Sequence, residues 1–138
     1  MKGSDADGDG YILMIEDDPA IQELVRALLS AEGWRTVGVT DGPAGLDWAR
    51  AHEPSMVILD MNVPLLHGEQ IAEELHRLYN GIAILVVSAS TQIRQNARHA
   101  RAFGYLKKPF ALNALITAVH VGFTRGRVLE PGLAREFA

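Results

Sequence analysis

The chain contains no cysteine, which excludes both a disulfide framework and a thiolate metal site. No apolar run approaches the ~20 residues of a membrane span, and the start lacks the pattern of a secretory signal. Cationic side chains are outnumbered, 13 Lys and Arg against 17 Asp and Glu, for a formal net charge of −4. That balance argues against unaided nucleic-acid binding, which needs a basic face to replace counterions. Internal repeats and low-complexity tracts are missing too. The expectation is a cytoplasmic protein without membrane or direct nucleic-acid contact. What is present is apolar material: 48% of the 138 residues are hydrophobic, enough for one real core but not for a second domain.

Three apolar runs stop abruptly at polar groups. Tyr11-Ile12-Leu13-Met14-Ile15 runs into Glu16-Asp17-Asp18, Met56-Val57-Ile58-Leu59 into Asp60, and Ile82 to Val87 into Ser88-Ala89-Ser90. Short continuous runs rich in β-branched residues read as strands buried on both faces, which belong to parallel sheets. A weaker strand spans Trp34 to Val39, and Tyr105-Leu106-Lys107 delivers Lys108 just before Pro109.

Helical patterns alternate with these strands. Asp18 and Pro19 form a cap and first turn, followed by Ile21, Leu24, Val25, Leu28 and Leu29 on one face, with Gly33 as terminator. Further helices are expected over Pro43–Ala51, Gly68–Leu78, Thr91–Ala102 and Ala111–Thr124, of which Thr91–Ala102 has a thin apolar face of Ile93, Ala97 and Ala100. Residues 1–9 read as a flexible arm, 10–125 as the domain and 126–138 as a tail. Five rounds of β and α imply an α/β doubly wound parallel sheet, whose ligand crevice lies outside the carboxyl ends of the strands.

One motif competes for the start of the chain. Asp5, Asp7, Asp9, Gly10, Ile12 and Glu16 match the twelve-residue EF-hand calcium loop. An EF-hand also needs an entering helix, for which only four residues are available, and an exit helix through Glu16, where Pro19 and a β-rich run stand instead. Calcium binding by residues 5–16 is the lesser reading.

The strand ends carry a coherent chemistry. Glu16 and Asp17 facing Asp60 would repel one another unless a divalent cation intervened, and oxygen ligands with room for water suit Mg²⁺. A carboxylate can itself attack phosphorus to give an aspartyl phosphate. The transferred group needs its oxygens neutralised; Lys108 can supply an ammonium and Ser88 a hydroxyl donor.

These residues resemble the receiver domain of two-component response regulators, of the CheY-like superfamily. The match consists of Glu16-Asp17, Asp60 with Pro64 and Gly68 at the family's four- and eight-residue intervals, Ser88-Ala89, and Lys108-Pro109-Phe110. The resemblance implies a flavodoxin-like (βα)5 fold with a five-stranded parallel sheet in the order 2-1-3-4-5. It implies that Asp60 accepts a phosphoryl group from a phosphohistidine of a sensor histidine kinase or histidine phosphotransfer protein, and that a downstream protein reads the result. Mg²⁺ would be held by Asp17, Asp60 and the backbone carbonyl of Asn62, with Glu16 direct or through water. Ser88 and Tyr105 would form the switch, and Lys108-Pro109 would be cis. Such a protein is not an enzyme acting on a separate substrate: phosphoryl transfer and dephosphorylation are self-catalysed.

Departures from the family pattern are few. Ser88 replaces the commoner Thr, Arg101-Ala102 stands where a Gly-Ala pair is usual, and the interval from Ser88 to Lys108 is a little short. A shortened or irregular fourth helix is therefore expected. The competing reading is a constitutive pseudo-receiver that binds proteins without phosphorylation; the complete acidic, hydroxyl and lysine positions argue against it. Weak self-association through the last helix is compatible with the sequence and not demanded by it. His52, His67, His76, His99 and His120 lack ligand spacing, Asp18 reads as a cap, Trp34 and Trp48 as packing residues, and Arg94, Arg98 and Arg101 as a solvated face.

Overall fold

A computed structural model describes residues 10–125 and 134–138. Six strands, β1 (Ile12–Ile15), β2 (Thr36–Val39), β3 (Met56–Asp60), β4 (Ala83–Ser88), β5 (Gly104–Lys107) and β6 (Arg135–Glu136), form one sheet in the order β2-β1-β3-β4-β5-β6. Every pairing is parallel. Five helices accompany them among the described residues: α1 (Pro19–Ala31), α2 (Gly42–Ala51), α3 (Gly68–Leu78), α4 (Ile93–His99) and α5 (Leu112–Arg125). The flavodoxin-like fold and the order of the first five strands are as expected.

The alternating side chains of the central strands divide the core in two. Leu13, Ile15, Val57, Leu59, Ile84 and Val86 meet α2, α3 and α4 through residues such as Leu46, Ile71, Leu75 and Ile93. Ile12, Met14, Met56, Ile58 and Leu85 meet α1 and α5 through Val25, Leu29, Leu115 and Val119. Since β3 is buried along its whole length, its continuous apolar run is explained by helices on both faces.

Local signals set the boundaries. The Asp18 side chain accepts from Ala20 N–H at 2.9 Å and caps α1, and Gly33 follows that helix at φ 93°, the left-handed region open to glycine. Asp41 caps α2 by accepting from Ala44 N–H at 2.8 Å. As expected, α4 is short, seven residues with only Ile93 and Ala97 buried.

Two expectations are corrected. Residues 126–138 read as a tail, yet 135–136 form a sixth strand on β5 and Phe137 is buried; a two-residue strand is too short to show alternation. Trp34 packs against Phe123 as expected, but Trp48 is 42% exposed beside His52. The arm at residues 1–9, including Asp5, Asp7 and Asp9 of the calcium-loop match, lies outside the described residues. Where that motif needs an exit helix, Ile12–Ile15 is a strand pairing with β2 and β3.

Candidate functional site

Four polar residues stand at the carboxyl ends of four neighbouring strands. Glu16 follows β1, Asp60 ends β3, Ser88 ends β4, and Lys108 follows β5. Parallel register alone delivers them to one edge of the sheet. Lys108 Nζ lies 3.0 Å from Glu16 Oε1 and 3.3 Å from Asp60 Oδ2. Asp17 joins them: one carboxylate oxygen from each of Glu16, Asp17 and Asp60 lies within 4.8 Å of the others. Glu16 and Asp60 are buried and Asp17 is exposed, so the cluster opens to solvent on one side.

The backbone holds these groups in place. Asp60 Oδ1 accepts from Asn62 N–H at 3.0 Å, and Glu16 Oε2 accepts from Asp18 N–H at 3.1 Å. Lys108 N–H donates to Ser88 O at 2.8 Å, tying the ends of β4 and β5 together. Buried Ser88 accepts from Ser90 N–H through Oγ at 3.0 Å, which leaves its hydroxyl proton available for another acceptor. The peptide bond between Lys108 and Pro109 is cis, as the resemblance implies.

Electrostatics follow from crowding. Burial pushes the Glu16 carboxyl above the usual range, against the pull of Lys108. Desolvation is also the largest influence on Lys108 and works against its charge, but bonding and attraction from Glu16 and Asp60 together prevail and hold the ammonium above its ordinary value. Both partners shift upward: at Glu16 burial outweighs the pull of Lys108, and at Lys108 the two carboxylates outweigh burial. Oxygen donors alone, partly open to water, are what a hard divalent cation such as Mg²⁺ accepts, so the residues fit that ion.

Tyr105 is buried in the core on the side of α2, α3 and α4, and its hydroxyl accepts a long bond from Arg94 Nε at 3.4 Å. Arg94, Arg98 and Arg101 are exposed, as a solvated face should be. His52, His67, His99 and His120 are exposed, whereas His76 is buried and bonded through Nε2 to Ala100 O at 3.0 Å.

Two supporting residues escaped sequence reading. Gln22 Nε2 donates to Glu16 O at 3.0 Å and to Val39 O at 2.9 Å, pinning the loop after β1. Gly38 leaves it room, since a Cβ there would lie 2.6 Å from the Gln22 side chain. Nothing in a lone Gln on α1 signals this. Leu65, in the loop after Asp60, is 77% exposed at φ 79°, a backbone region unfavourable for a bulky residue.

The response regulator receiver domain family matches residues 12–120, and the chain belongs to that family. It is 31% identical over 133 residues to the transcriptional regulatory protein PdtaR of Mycobacterium tuberculosis, covering 92% of this chain and 65% of that one. It is 34% identical over 107 residues to the response regulator MprA of Mycolicibacterium vanbaalenii, covering 76% of this chain and 46% of that one. The chain thus spans less than two thirds of the length of these relatives.

Solved structures share the fold. A CheY-like receiver domain protein from Methanospirillum hungatei superposes with a TM-score of 0.78 at 22% identity, covering 84% of this chain and 94% of the other. The receiver domain of sensor histidine kinase PA1611 from Pseudomonas aeruginosa, described with a magnesium ion coordinated in its active-site cleft, gives 0.76 at 26% identity, covering 83% and 97%. Residues 12–120 are therefore a response regulator receiver domain, a signalling module of two-component systems.

Proposed function

We propose that Asp60 is a phosphoacceptor, taking a phosphoryl group from a phosphohistidine of a sensor histidine kinase or histidine phosphotransfer protein. The observation that carries this reading is the position of Lys108, between Glu16 and Asp60 and beside three converging carboxylates. In the reaction a carboxylate oxygen of Asp60 bonds to phosphorus as the phosphorus–nitrogen bond breaks, and the electron pair leaves with the imidazole. Lys108 faces the developing charge on the phosphoryl oxygens, and the Ser88 hydroxyl donates to one of them. Asn62 N–H holds the second oxygen of Asp60, fixing the angle of attack. Glu16, Asp17, Asp60 and the Asn62 carbonyl are the residues that would hold Mg²⁺; when bound, the ion neutralises phosphoryl charge. Water later cleaves the acyl phosphate, releasing phosphate and restoring the carboxylate.

Phosphorylation biases an existing two-state equilibrium around Ser88, Tyr105 and α4, and a downstream protein in the cytoplasm reads that change. The thin apolar face of α4 supports its place in the moving part. Incubation with acetyl phosphate and Mg²⁺ should raise the intact mass by one phosphate, and Asp60→Asn should abolish the gain. Labelling that persists in Asp60→Asn contradicts the assignment; a wild-type chain that takes no phosphate favours the constitutive pseudo-receiver.

A further inference from the structure

Without β6, β5 would be an edge strand, offering unpaired N–H and C=O groups to any extended chain. That edge is taken by this protein's own residues. Arg135 N–H donates to Phe103 O and Phe137 N–H to Tyr105 O, both at 3.0 Å. The Phe137 ring, 4% exposed, lies over Gly104, where a Cβ would come within 2.3 Å of it, and meets Phe103 edge-on at 6.0 Å. The Arg135 guanidinium sits 4.5 Å from the centre of the same ring. On the opposite face Ala134 packs against the core that holds Tyr105. The Arg94 guanidinium bonds the Tyr105 hydroxyl, and Glu136 adds attraction to it.

Topology marks β6 as an addition to the fold. From β3 to β4 to β5 the sheet advances through α3 and α4, which share one face. From β5 to β6 it advances in the same direction, yet α5 lies on the other face with α1. α5 thus stands on the face opposite to the helices that precede β4 and β5, and β6 pairs with β5 alone among the described strands. Two residues of ladder and one buried ring hold it, which places it among the parts of the molecule that open most easily.

β5, which β6 covers, leads directly to the carboxylate cluster. Tyr105 O holds Phe137 N–H, and three residues later Lys108 Nζ contacts Asp60. We propose that residues 134–138 are a detachable strand covering the β5 edge, and that phosphorylation of Asp60 releases it. The release rests on the phosphoacceptor reading, whereas the cover itself does not.

Hydrogen exchange at the Arg135 amide in the full chain tests both parts. Gly104→Ala places a methyl group where the Phe137 ring lies, and Phe137→Ala removes the ring. Each variant should speed exchange at Arg135 by roughly tenfold or more while the amides of β1 and β3 exchange as before, showing that the domain stays folded. Wild-type protein treated with acetyl phosphate and Mg²⁺ should show the same acceleration in the fraction whose mass has risen by one phosphate. Unchanged exchange at Arg135 in both variants overturns the cover. Phosphorylated protein that still protects Arg135 overturns the release and leaves the phosphoacceptor reading intact. A chain that takes up no phosphate refutes that reading and the release with it, while exchange in the two variants still decides the cover.

Discussion

Lys108 Nζ lies 3.3 Å from Asp60 Oδ2 although 48 positions separate the two residues along the chain. Removing the ammonium would leave Glu16 and Asp60, 3% and 4% exposed, without a counter-charge. The Lys108 side chain is 19% exposed, so the loss should fall below that of a fully enclosed ion pair. Lys108→Met is expected to destabilise the metal-free protein by about 1–3 kcal/mol, and Mg²⁺ should restore part of the deficit. Urea unfolding with and without Mg²⁺ measures this; equal midpoints for variant and wild type without the ion would contradict it.

Neighbouring aspartates should behave differently. Asp17 belongs to the carboxylate cluster, whereas Asp18 caps α1. Asp17→Asn should weaken Mg²⁺ binding by roughly tenfold or more with little loss of fold, because the exposed carboxylate contributes repulsion when no ion is bound. Asp18→Ala should cost about 1 kcal/mol of stability and leave Mg²⁺ affinity within a few-fold. Calorimetric titration and thermal melts on both variants separate the two roles.

At Gly45 two effects oppose each other. Replacing a helical glycine by alanine gains roughly 1 kcal/mol in propensity. A Cβ at this position, however, would lie 2.5 Å from Ile15 Cδ1 and 2.8 Å from its Cγ1, and Ile15 is fully buried. Overpacking costs about 1–3 kcal/mol, so Gly45→Ala should be net destabilising. A chemical-denaturation midpoint above that of wild type would show that Ile15 can yield.

His76 gives the fold a component of pH dependence. Burial lowers its pKa, against the bond to Ala100 O, so the folded state prefers the neutral ring. The folded value lies below the unfolded one of about 6.5; the unfolded chain therefore binds more protons between the two, and stability falls as pH drops through that window. This contribution is fully present above about pH 6.5 and lost below the folded pKa. His76→Gln should lower stability at pH 7.5 yet show a shallower decline towards pH 5 than wild type. Parallel slopes in urea titrations at several pH values would assign the acid sensitivity elsewhere.

Much of the fold was legible because each central strand is an uninterrupted apolar run ending at a polar residue, as in Val57-Ile58-Leu59-Asp60. Helices on both faces demand that pattern, and the polar terminus is where the crevice must open. The distant partners Glu16, Ser88 and Lys108 could be read for the same reason. β6 could not: Ala134 to Phe137 owes its conformation to an edge created by the rest of the sheet. His76 was equally silent, since its burial follows from where α4 ends against α3 and not from its own helix pattern. Leu65 takes a left-handed backbone that its residue type argues against.

The covered flank of the sheet also bears on solubility. Among the described residues, β2 pairs with β1 alone, while the other flank ends in the two-residue β6. A parallel sheet with two bare flanks of complementary polarity can propagate head to tail without closing, the geometry of a filament. With β6 in place that flank ends in a ladder of two residues rather than the four of β5, and a second copy has less backbone to pair with there.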